Sequence, residues 1–446
     1  MRPRSLHTPA RACYHGPVTS RPPTVAIITF GCKVNQCDSE AMAAELARQG
    51  YLVTPRGAAA DAHLVNTCAV TATAEAKARK LIRRLARDRP GAPVVVTGCW
   101  AQRDPETVAA LPGVAAVLPN TGKRSVAGVV SQLVAPGPRP AQDPPRFRTR
   151  AFLKVQDGCD HRCAYCAVPS ARGHPTSRPM AEVLAEVSSL AEWGVQEVVL
   201  CGIRLGAYGR DCAGPTLARL LRELRGARIP RLRLSSLEPM DVGDDLVTEL
   251  ADHPTLCHHL HLPLQSGDDT VLAAMGRGYG APEFTALVGR LWQAWPDLAL
   301  SVDVMVGFPG ETEEQFGRTF DFVARLGCSR LHVFPYSPRP GTPAAARPGQ
   351  VPPAVKRERC ARLLALGERL ASQAAASWVG RQVEVLFERL RSGGLLFGLT
   401  EHYFGLTCPG PEAWVGRIVP VVAEEARGPE LVGAARREEA RCPSTK

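Results

Sequence analysis

Three cysteines, Cys159, Cys163 and Cys166, lie close together in the middle of the 446-residue chain. They follow a predicted strand at residues 151–156, and gaps of three and two residues place all three thiols on one short loop. Thiolates are good ligands for soft metal centres, and iron–sulfur clusters are held by cysteines in such tight runs. The loop is therefore predicted to bind a metal centre.

A structural zinc site is the alternative interpretation of this loop, with His161 or a distant cysteine as the fourth ligand. Closed zinc sites usually draw their ligands from two paired Cys-x-x-Cys knuckles, and the sequence contains no second such pair. Three cysteines without a fourth would leave one iron of a cubane cluster open to a small molecule. The Cys-x-x-x-Cys-x-x-Cys spacing resembles that of radical S-adenosylmethionine enzymes, in which the methionine end of the cofactor occupies the open iron.

A second set of cysteines follows three predicted strands in the first third of the chain. Strands are predicted at residues 25–30, 63–66, 93–97 and 114–118, and helices at residues 38–50, with Asp38 or Ser39 as N-cap, and 74–88. The first three strands lead into Cys32, Cys68 and Cys99. Because the carboxyl ends of parallel strands line the ligand crevice of an open sheet, these thiols are expected to converge on a second metal centre. The alternative is that cysteines simply favour buried strand ends.

Length and composition indicate several domains and a polyanionic partner. A chain of 446 residues is too long for one core, and its 45% hydrophobic content is typical of globular proteins. No apolar run approaches a membrane span. The formal charge of +11 favours a polyanion, although a preference for Arg in a GC-rich genome would also raise it. Fifteen cysteines without a secretory signal favour reduced thiols in the cytoplasm.

Strands and helices alternate regularly after a Pro- and Arg-rich linker at residues 136–150. Strands are predicted at residues 151–156, 197–201, 231–236, 258–263, 298–306 and 330–336, with helices at 180–193, 216–225, 283–295 and 313–326. Six βα units predict a partial barrel instead of the closed eight-stranded form. Function in such a fold lies at the carboxyl ends of the strands, where the first cysteine loop is found.

Other strand ends carry candidate cofactor-binding residues. Glycines there let the backbone approach a ligand, and polar side chains can hold its ribose and amino-acid parts. The candidates are Gly202, Ser236, Glu238, Gln265, Ser266, Asp303, Gly307 and Tyr336. Plain turns are the alternative explanation for the glycines.

The pattern changes to short alternating strands after a long helix predicted at residues 355–375. Strands at residues 382–387, 394–400, 403–406 and 415–422 predict a small β-barrel. Aromatic residues in this region are interleaved with Arg381, Arg389, Arg391 and Arg417, a combination that suits RNA binding. The alternative is that the aromatic residues form the core of the barrel.

Six motifs together resemble one family, the radical S-adenosylmethionine methylthiotransferases. The match extends in order over residues 24–422, and residues 31–36 and 334–342 are most similar to the MtaB branch. The motifs lie at residues 31–36, 66–68, 97–99, 159–166, 307–312 and 334–342.

The resemblance implies an α/β protein of three domains. It implies an N-terminal open α/β methylthiotransferase domain, a central partial (βα)6 radical barrel and a C-terminal β-barrel of the TRAM type that grips tRNA. The expected bounds are 1–23 for a disordered extension, 24–135 for the first domain, 136–150 for the linker, 151–377 for the radical domain and 378–440 for the TRAM domain.

The resemblance also implies two [4Fe–4S] clusters and S-adenosylmethionine as cofactors. The loop cysteines at positions 159, 163 and 166 would hold the cluster that cleaves S-adenosylmethionine. Those at positions 32, 68 and 99 would hold an auxiliary cluster through which sulfur is delivered. One departure is Cys37, where the branch usually has an aromatic residue; this extra thiol is expected to pack as a small apolar side chain.

The implied reaction converts N6-threonylcarbamoyladenosine at position 37 of the tRNA anticodon loop to its 2-methylthio form. The implied enzyme is a cytoplasmic monomer with no membrane association, reduced by a donor such as flavodoxin or ferredoxin. The predicted basic helix at residues 74–88 becomes a candidate tRNA surface. Two alternatives stay open: a sister branch that acts on isopentenyladenosine or on a ribosomal protein, and a non-catalytic metal-dependent RNA-binding protein.

Overall fold

The computed structural model describes residues 21–54, 60–138 and 149–435, which form three structural units in chain order. Most of the predicted extension, most of the predicted linker and residues 436–440 of the predicted last domain lie outside the described residues. Within the described ranges, no helix is long and apolar enough to cross a membrane.

The first unit is a five-stranded parallel sheet in the order β2-β1-β3-β4-β5 with helices on its faces. Its strands are β1 (Thr24–Thr29), β2 (Leu52–Thr54), β3 (Ala62–Thr67), β4 (Val94–Gly98) and β5 (Val114–Val117). Its helices are α1 (Lys33–Arg48), α2 (Ala72–Asp88), α3 (Cys99–Arg103), α4 (Pro105–Ala109) and α5 (Val126–Leu133). The open parallel α/β prediction is confirmed, and the short strand β2 was not predicted.

Helix α1 begins earlier than predicted, and Asp38 is not its N-cap. The helix begins at Lys33, directly after Cys32, whose backbone is extended. Asp38 lies one turn inside the helix, where its buried carboxylate is paired with lysine side chains. The sequence pattern was misleading because a tertiary ion pair and an N-cap both place an Asp near a helix start.

The second unit is a partial barrel of two three-stranded parallel sheets, β10-β9-β6 and β11-β12-β13. Its strands are β6 (Ala151–Lys154), β7 (Gln156–Asp157), β8 (Thr176–Ser177), β9 (Glu197–Cys201), β10 (Arg231–Leu234), β11 (His259–Gln265), β12 (Ala299–Val306) and β13 (Arg330–Pro335). Its helices are α6 (Val168–Arg172), α7 (Met180–Glu192), α8 (Leu217–Leu224), α9 (Asp244–Asp252), α10 (Asp269–Ala274), α11 (Ala281–Ala294), α12 (Glu313–Leu326) and α13 (Pro353–Ala376). The prediction of six principal strands is confirmed, whereas the shorter helices α6, α9 and α10 were not predicted.

Four barrel strands alternate polar and apolar residues, which gives the barrel a polar interior. The runs are Arg-Leu-Arg-Leu in β10, His-Leu-His-Leu in β11, Ser-Val-Asp-Val in β12 and Arg-Leu-His-Val in β13. The apolar members pack in the main core of the unit, which includes Leu232, Leu260 and Val302. Because successive side chains of a strand point to opposite faces, the polar members line the inside.

The third unit is a closed five-stranded barrel in the order β14-β15-β16-β18-β17, which confirms the predicted small barrel. Its strands are β14 (Gln382–Leu390), β15 (Leu395–Thr400), β16 (Gly405–Pro409), β17 (Ile418–Arg427) and β18 (Glu430–Ala434). Strand β18 was not predicted. The predicted strand at residues 403–406 is displaced because Tyr403 has a positive φ of 69° and leaves the sheet.

The turn before β16 closes the amino-terminal end of the central barrel. The Tyr403 ring stacks on His259 with centroids 4.7 Å apart. The guanidinium groups of Arg233 and Arg330 lie 4.8 and 4.9 Å from the centre of the same ring. The opposite end, where the strands terminate, faces the first unit.

Candidate active site

The first cysteine loop lies between β7 and α6, at the carboxyl end of the central barrel. The Cys159 sulfur accepts the N–H of His161, and the Cys166 sulfur accepts the N–H of Val168, both at 3.4 Å. The pKa of Cys166 is raised to about 12, mainly by burial and in part by the neighbouring Cys163 and Cys159. Metal binding would convert such protonated thiols to thiolates, so the loop is suited to a metal centre and unsuited to free ionised thiols.

Arg277 lies beside this loop and was missed by the sequence analysis. Its Nη1 lies 3.4 Å from the Cys163 sulfur, and its Nη2 is 3.0 Å from the Tyr279 hydroxyl. It also pairs with Glu238, one of the predicted cofactor-binding residues. A buried cation next to thiolates offsets part of the negative charge of a bound cluster.

The second cysteine set is brought together by neighbouring strands, as expected. Cys32, Cys68 and Cys99 follow β1, β3 and β4, which are adjacent in the sheet. A side chain at Gly31, which has φ +100°, would lie 2.9 Å from the Cys68 sulfur, so only glycine allows this close approach. The pKa of Cys68 is raised to about 11, mainly by burial and in part by Cys99 and Cys32. The three thiols therefore share one electrostatic environment.

A network of charged side chains joins the two cysteine sets. Arg172, at the end of the helix that follows the first loop, donates to Asp157 at 2.7 Å and to Asp38 at 3.2 Å. Asp38 also accepts from Lys123 at 2.6 Å and from Lys154. Burial opposes ionisation of Asp38, yet these cations hold its pKa well below the usual range. The network fixes the first unit against the carboxyl end of the barrel.

The separation of the thiols favours clusters over single zinc ions. Within the described ranges, the ligand atoms of His261, Asp303 and His332 lie within 4.8 Å of one another. The three sulfur atoms of each cysteine set are not all this close together. With Zn–S distances of about 2.3 Å, the sulfurs of a tetrahedral zinc site stand roughly 3.8 Å apart. A cubane cluster is a larger body and needs more widely spaced sulfurs. Both sets thus fit [4Fe–4S] clusters better than zinc.

Some predicted cofactor-binding residues lie at the barrel mouth in positions that suit contact with a ligand. Gln265 has a positive φ of 69°, and its buried Oε1 has no hydrogen-bond partner among the described residues. A strained residue with an unsatisfied polar atom is typical of a ligand contact. At Gly202, an added side chain would lie 2.8 Å from the Leu205 Cα, so the backbone passes close to its neighbour. Glu238 pairs with Arg277.

Other predicted cofactor-binding residues have structural partners. The Ser266 hydroxyl is fully buried and bonded to Thr319 at 3.0 Å. A side chain at Gly307 would meet Lys356 at 2.2 Å, so the glycine makes room for helix α13. The ring of Tyr336 is buried and packs with Phe308 in a small apolar cluster, whereas its buried hydroxyl, like the Gln265 oxygen, has no hydrogen-bond partner among the described residues.

Ser236 and Asp303 are grouped with two histidines inside the barrel. The Ser236 hydroxyl lies 2.9 Å from His261 Nδ1, and His261 Nε2 lies 2.8 Å from the Asp303 carboxylate. His332 is adjacent, with its ring centroid 5.2 Å from that of His261. Neither histidine was a predicted site residue, although the polar–apolar alternation of β11 and β13 was a usable signal.

The predicted RNA-binding arginines lie on the C-terminal barrel, and several stack on aromatic rings. Arg389 and Arg391 lie 4.7 and 4.0 Å from the centre of the Phe397 ring. Arg391 also pairs with Glu430 at 3.1 Å. Arg381 lies over Trp378 at 5.0 Å, and Arg417 is exposed. Phe387, Phe397 and Phe404 are buried, so for these rings the packing alternative is correct.

Helix α2 presents the other basic surface. Its exposed cations are Lys77, Lys80, Arg83, Arg84 and Arg87. Together they line a shallow groove, and of these side chains only Arg87 has an ion-pair partner among the described residues, the adjacent Asp88. Clustered cations without acidic partners are typical of a surface that binds phosphates.

Comparison with known proteins agrees with this architecture. Family models match three successive parts of the chain: the uncharacterized protein family UPF0004 at residues 24–119, the radical SAM superfamily at 153–323 and the TRAM domain at 376–433. The threonylcarbamoyladenosine tRNA methylthiotransferase MtaB of Bacillus subtilis (strain 168) is 38% identical over 89% of this chain and 93% of its own. That of Thermotoga maritima is 39% identical over 85% and 90%. The chain belongs to this methylthiotransferase family.

The predicted resemblance to the MtaB methylthiotransferases is thus confirmed. A tRNA-2-methylthio-N(6)-dimethylallyladenosine synthase of Jannaschia sp. (strain CCS1) is also 38% identical, over 91% of this chain and 92% of its own. The sister branches therefore share one architecture. Among solved structures, the radical S-adenosylmethionine methyltransferase TsrM of Kitasatospora setae has a TM-score of 0.53, with 16% identity over 81% of this chain and 78% of its own. At that identity the likeness concerns the fold alone.

Proposed function

We propose that the protein converts N6-threonylcarbamoyladenosine at position 37 of tRNA to its 2-methylthio form. The observation that carries this proposal is the pairing of two three-cysteine sites at the mouth of one barrel, in a chain of the MtaB family. The non-catalytic alternative does not account for two such sites joined by one buried charged network.

Two [4Fe–4S] clusters and S-adenosylmethionine are the cofactors of this proposal. When bound, they supply the 5′-deoxyadenosyl radical that removes hydrogen from carbon 2 of adenine, the sulfur that replaces it and the methyl group. Cys159, Cys163 and Cys166 would hold the first cluster and leave one iron for S-adenosylmethionine. The auxiliary cluster would be held by the other cysteine set, at positions 32, 68 and 99.

The protein's own residues bind, orient and balance charge around these groups. Arg277 and Arg172 each place a guanidinium beside one cysteine set and offset its negative charge. Gly202, Glu238 and Gln265 lie at strand ends of the same mouth, where they would contact S-adenosylmethionine. Ser266, Gly307 and Tyr336 support these strand ends through packing.

The two basic surfaces, one on α2 and one on the C-terminal barrel, would both bind the tRNA partner. The exposed cations of α2 suit phosphates of the anticodon stem, and the stacked arginines of the C-terminal barrel suit a flexible strand. We further propose a cytoplasmic monomer that accepts electrons from flavodoxin or ferredoxin. No cysteine in the described ranges forms a disulfide, which supports a reducing compartment.

The function is tested with anaerobically reconstituted protein and two anticodon stem-loops. One carries N6-threonylcarbamoyladenosine and the other isopentenyladenosine at position 37, and the products are identified by nucleoside mass spectrometry. Methylthiolation of the first stem-loop alone is expected. The Cys163→Ala protein is the matched control and should give no product. Methylthiolation of only the isopentenyl stem-loop would show that the branch assignment is wrong.

A gene deletion tests the same proposal in the cell. The 2-methylthio nucleoside should disappear from tRNA, and its unthiolated threonylcarbamoyl precursor should accumulate. Loss of the 2-methylthio isopentenyl nucleoside instead would contradict the proposed substrate.

A further inference from the structure

The polar interior of the barrel has two layers, and the side chains of the lower one are bonded to one another. Arg233 is bonded to Glu197 at 2.7 Å, and His259 to Ser301 at 2.7 Å. The ring of Tyr403 from the C-terminal barrel covers this layer from below. The lower layer is therefore a covered structural base, in which His259 Nδ1 has no hydrogen-bond partner among the described residues.

The upper layer is open and forms the floor of the barrel mouth. We call it the polar floor, and it consists of His261, Asp303 and His332. The side chains of His261 and Asp303 are 16% and 22% exposed, and His332 is exposed. All three project from adjacent parallel strands, so rigid elements position them. A polar group that remains accessible at the bottom of a mouth is available to a ligand.

Two cations whose charges act on His332 of the polar floor have no acidic partner in the described parts of the chain. Lys33 is half-buried at the first position of α1, directly after Cys32, and Arg330 precedes His332 by two residues on the same face of β13. Arg330 is bonded to the Tyr403 carbonyl at 3.1 Å, and Lys33 forms no ion pair with a described residue. Burial lowers the pKa of His332, and the charges of His261, Arg330 and Lys33 lower it further, against the effect of Asp303. The region therefore carries surplus positive charge, which favours an anionic ligand.

We propose that Lys33 and the polar floor bind the charged N6-substituent of the substrate adenosine. This inference rests on the proposed function, because Lys33 adjoins a ligand of the auxiliary centre and the floor lies below the mouth. An adenine held between the two cysteine sets would direct its N6-substituent towards this floor.

The chemistry of the threonylcarbamoyl group matches these side chains. Its carboxylate can accept from the Lys33 ammonium and from an N–H of neutral His332. Its hydroxyl and carbamoyl N–H groups can donate to Asp303, which His261 orients. An isopentenyl group offers neither a donor nor an acceptor, so it would leave the floor without partners. Such unsatisfied polar groups give strong discrimination between substrates.

A cation site is the competing interpretation of the polar floor, since two histidines and one carboxylate can hold a divalent metal ion. Lys33 and Arg330, which have no acidic partner among the described residues, oppose it because they would repel the ion. We therefore favour the anion and treat the metal ion as an outcome of the test.

The test removes the negative charge of the substrate carboxylate and, separately, the positive charge of Lys33. The substrates are the threonylcarbamoyl stem-loop and the same stem-loop with the threonyl carboxylate as its methyl ester. The proteins are the reconstituted wild type, Lys33→Met, Lys33→Arg, His332→Gln and the matched control Arg219→Met, which removes an exposed charge from α8. A hydrogen bond to a charged group contributes about 1.5–3 kcal/mol, so kcat/KM for methylthiolation should fall about 10- to 100-fold for Lys33→Met. Iron content, measured in parallel, verifies that each variant holds its clusters.

The expected results form a cycle. For the wild type, the methyl ester should lower kcat/KM by the same factor as the Lys33→Met substitution does with the native substrate. For Lys33→Met, replacing the native substrate by the ester should lower kcat/KM only slightly further. Lys33→Arg should recover part of the activity, and His332→Gln should also discriminate less between the two substrates. Equal use of both stem-loops by the wild type would overturn the pocket and leave the proposed function intact. One equivalent of zinc or manganese per chain, lost in His332→Gln, would overturn it in favour of a metal site.

Discussion

Single residues far apart in sequence complete both cysteine sites. Arg277 is separated from Cys163 by 114 positions and still lies 3.4 Å from its sulfur. Arg172 lies in the charged network, where its charge opposes the rise in the pKa of Cys68. Charge compensation by one buried guanidinium is thus a shared feature of the two sites.

Replacing Arg277 by Met should slow the cleavage of S-adenosylmethionine. The change removes a charged donor worth about 1.5–3 kcal/mol, so the rate of 5′-deoxyadenosine formation should fall at least about tenfold. The reduction potential of the first cluster should also become more negative, because a nearby positive charge is lost. Electron paramagnetic resonance titration measures the potential. Arg290→Met, which removes an exposed arginine from α11, is the control; an unchanged potential in Arg277→Met would contradict the assigned role.

His402 should make the stability of the protein depend on pH. It is 3% exposed, and burial lowers its pKa to about 3, with further effects of His258 and Arg233. The folded state keeps this imidazole neutral, so its contribution is fully present above the unfolded pKa near 6.5 and decreases as the pH falls towards 3. Between pH 8 and pH 5.5 the free energy of unfolding should fall by about 1 kcal/mol through this group. In thermal unfolding experiments, the free energy of unfolding of His402→Phe should decrease less over this pH range than that of the wild type. An identical decrease in the two proteins would contradict the prediction.

At the scale of elements, helix α2 has a core face and an exposed basic face. Ala78, Ile82 and Leu85 are buried against the sheet, while Lys80 and Arg84 lie one turn apart on the exposed side. The tertiary fold orients this second face towards solvent next to the barrel mouth, where Glu75 pairs with Arg339.

Replacing Lys80 and Arg84 by Gln should weaken tRNA binding and reduce its salt dependence. Each lost phosphate contact lowers the slope of log K against log salt by about 0.7–0.9, so the slope of the double variant should be smaller by up to about 1.8. Arg219→Gln with Arg228→Gln on the outer side of the barrel is the matched control. Affinity measurements between 50 and 200 mM salt test this prediction, and parallel slopes for both double variants would refute it.

At the scale of the whole molecule, the three units are mutually dependent. The first unit is attached to the barrel through Asp38 and Arg172, and the last unit seals the barrel base with Tyr403. Deleting the C-terminal barrel would uncover the Glu197–Arg233 pair, so its RNA contacts are better tested by point variants on its surface.

The two cysteine sets should have separable roles in this assembly. Replacing Cys32, Cys68 and Cys99 by Ala should remove about half of the iron if both centres are [4Fe–4S] clusters. Cleavage of S-adenosylmethionine should persist, because the loop ligands come from the barrel, whereas methylthiolation should stop. Replacing the three loop cysteines should abolish both reactions. Iron analysis and product assays measure these outcomes, and full methylthiolation by the first triple variant would refute the division.

The sequence by itself determined those features that depend on residues close together in the chain. The loop cysteines lie within eight positions of one another, and the polar–apolar alternation of the barrel strands is visible without a structure. The convergence of Cys32, Cys68 and Cys99 also followed from sequence, because parallel strands must end at one edge. The helix start at Lys33 and the short strands β2 and β18 were missed, since tertiary pairing and not local preference forms them.

Only the tertiary structure decided which distant side chains meet. Arginine and histidine are common on surfaces and carry no local signal of a partner, so the sequence could not place Arg277 beside Cys163 or His261 beside Asp303. It also could not separate Gln265, whose buried oxygen has no hydrogen-bond partner among the described residues, from Ser266, whose hydroxyl is bonded to Thr319. The physical reason is that burial and long-range pairing depend on how strands and units pack, and not on the residues adjacent in the chain.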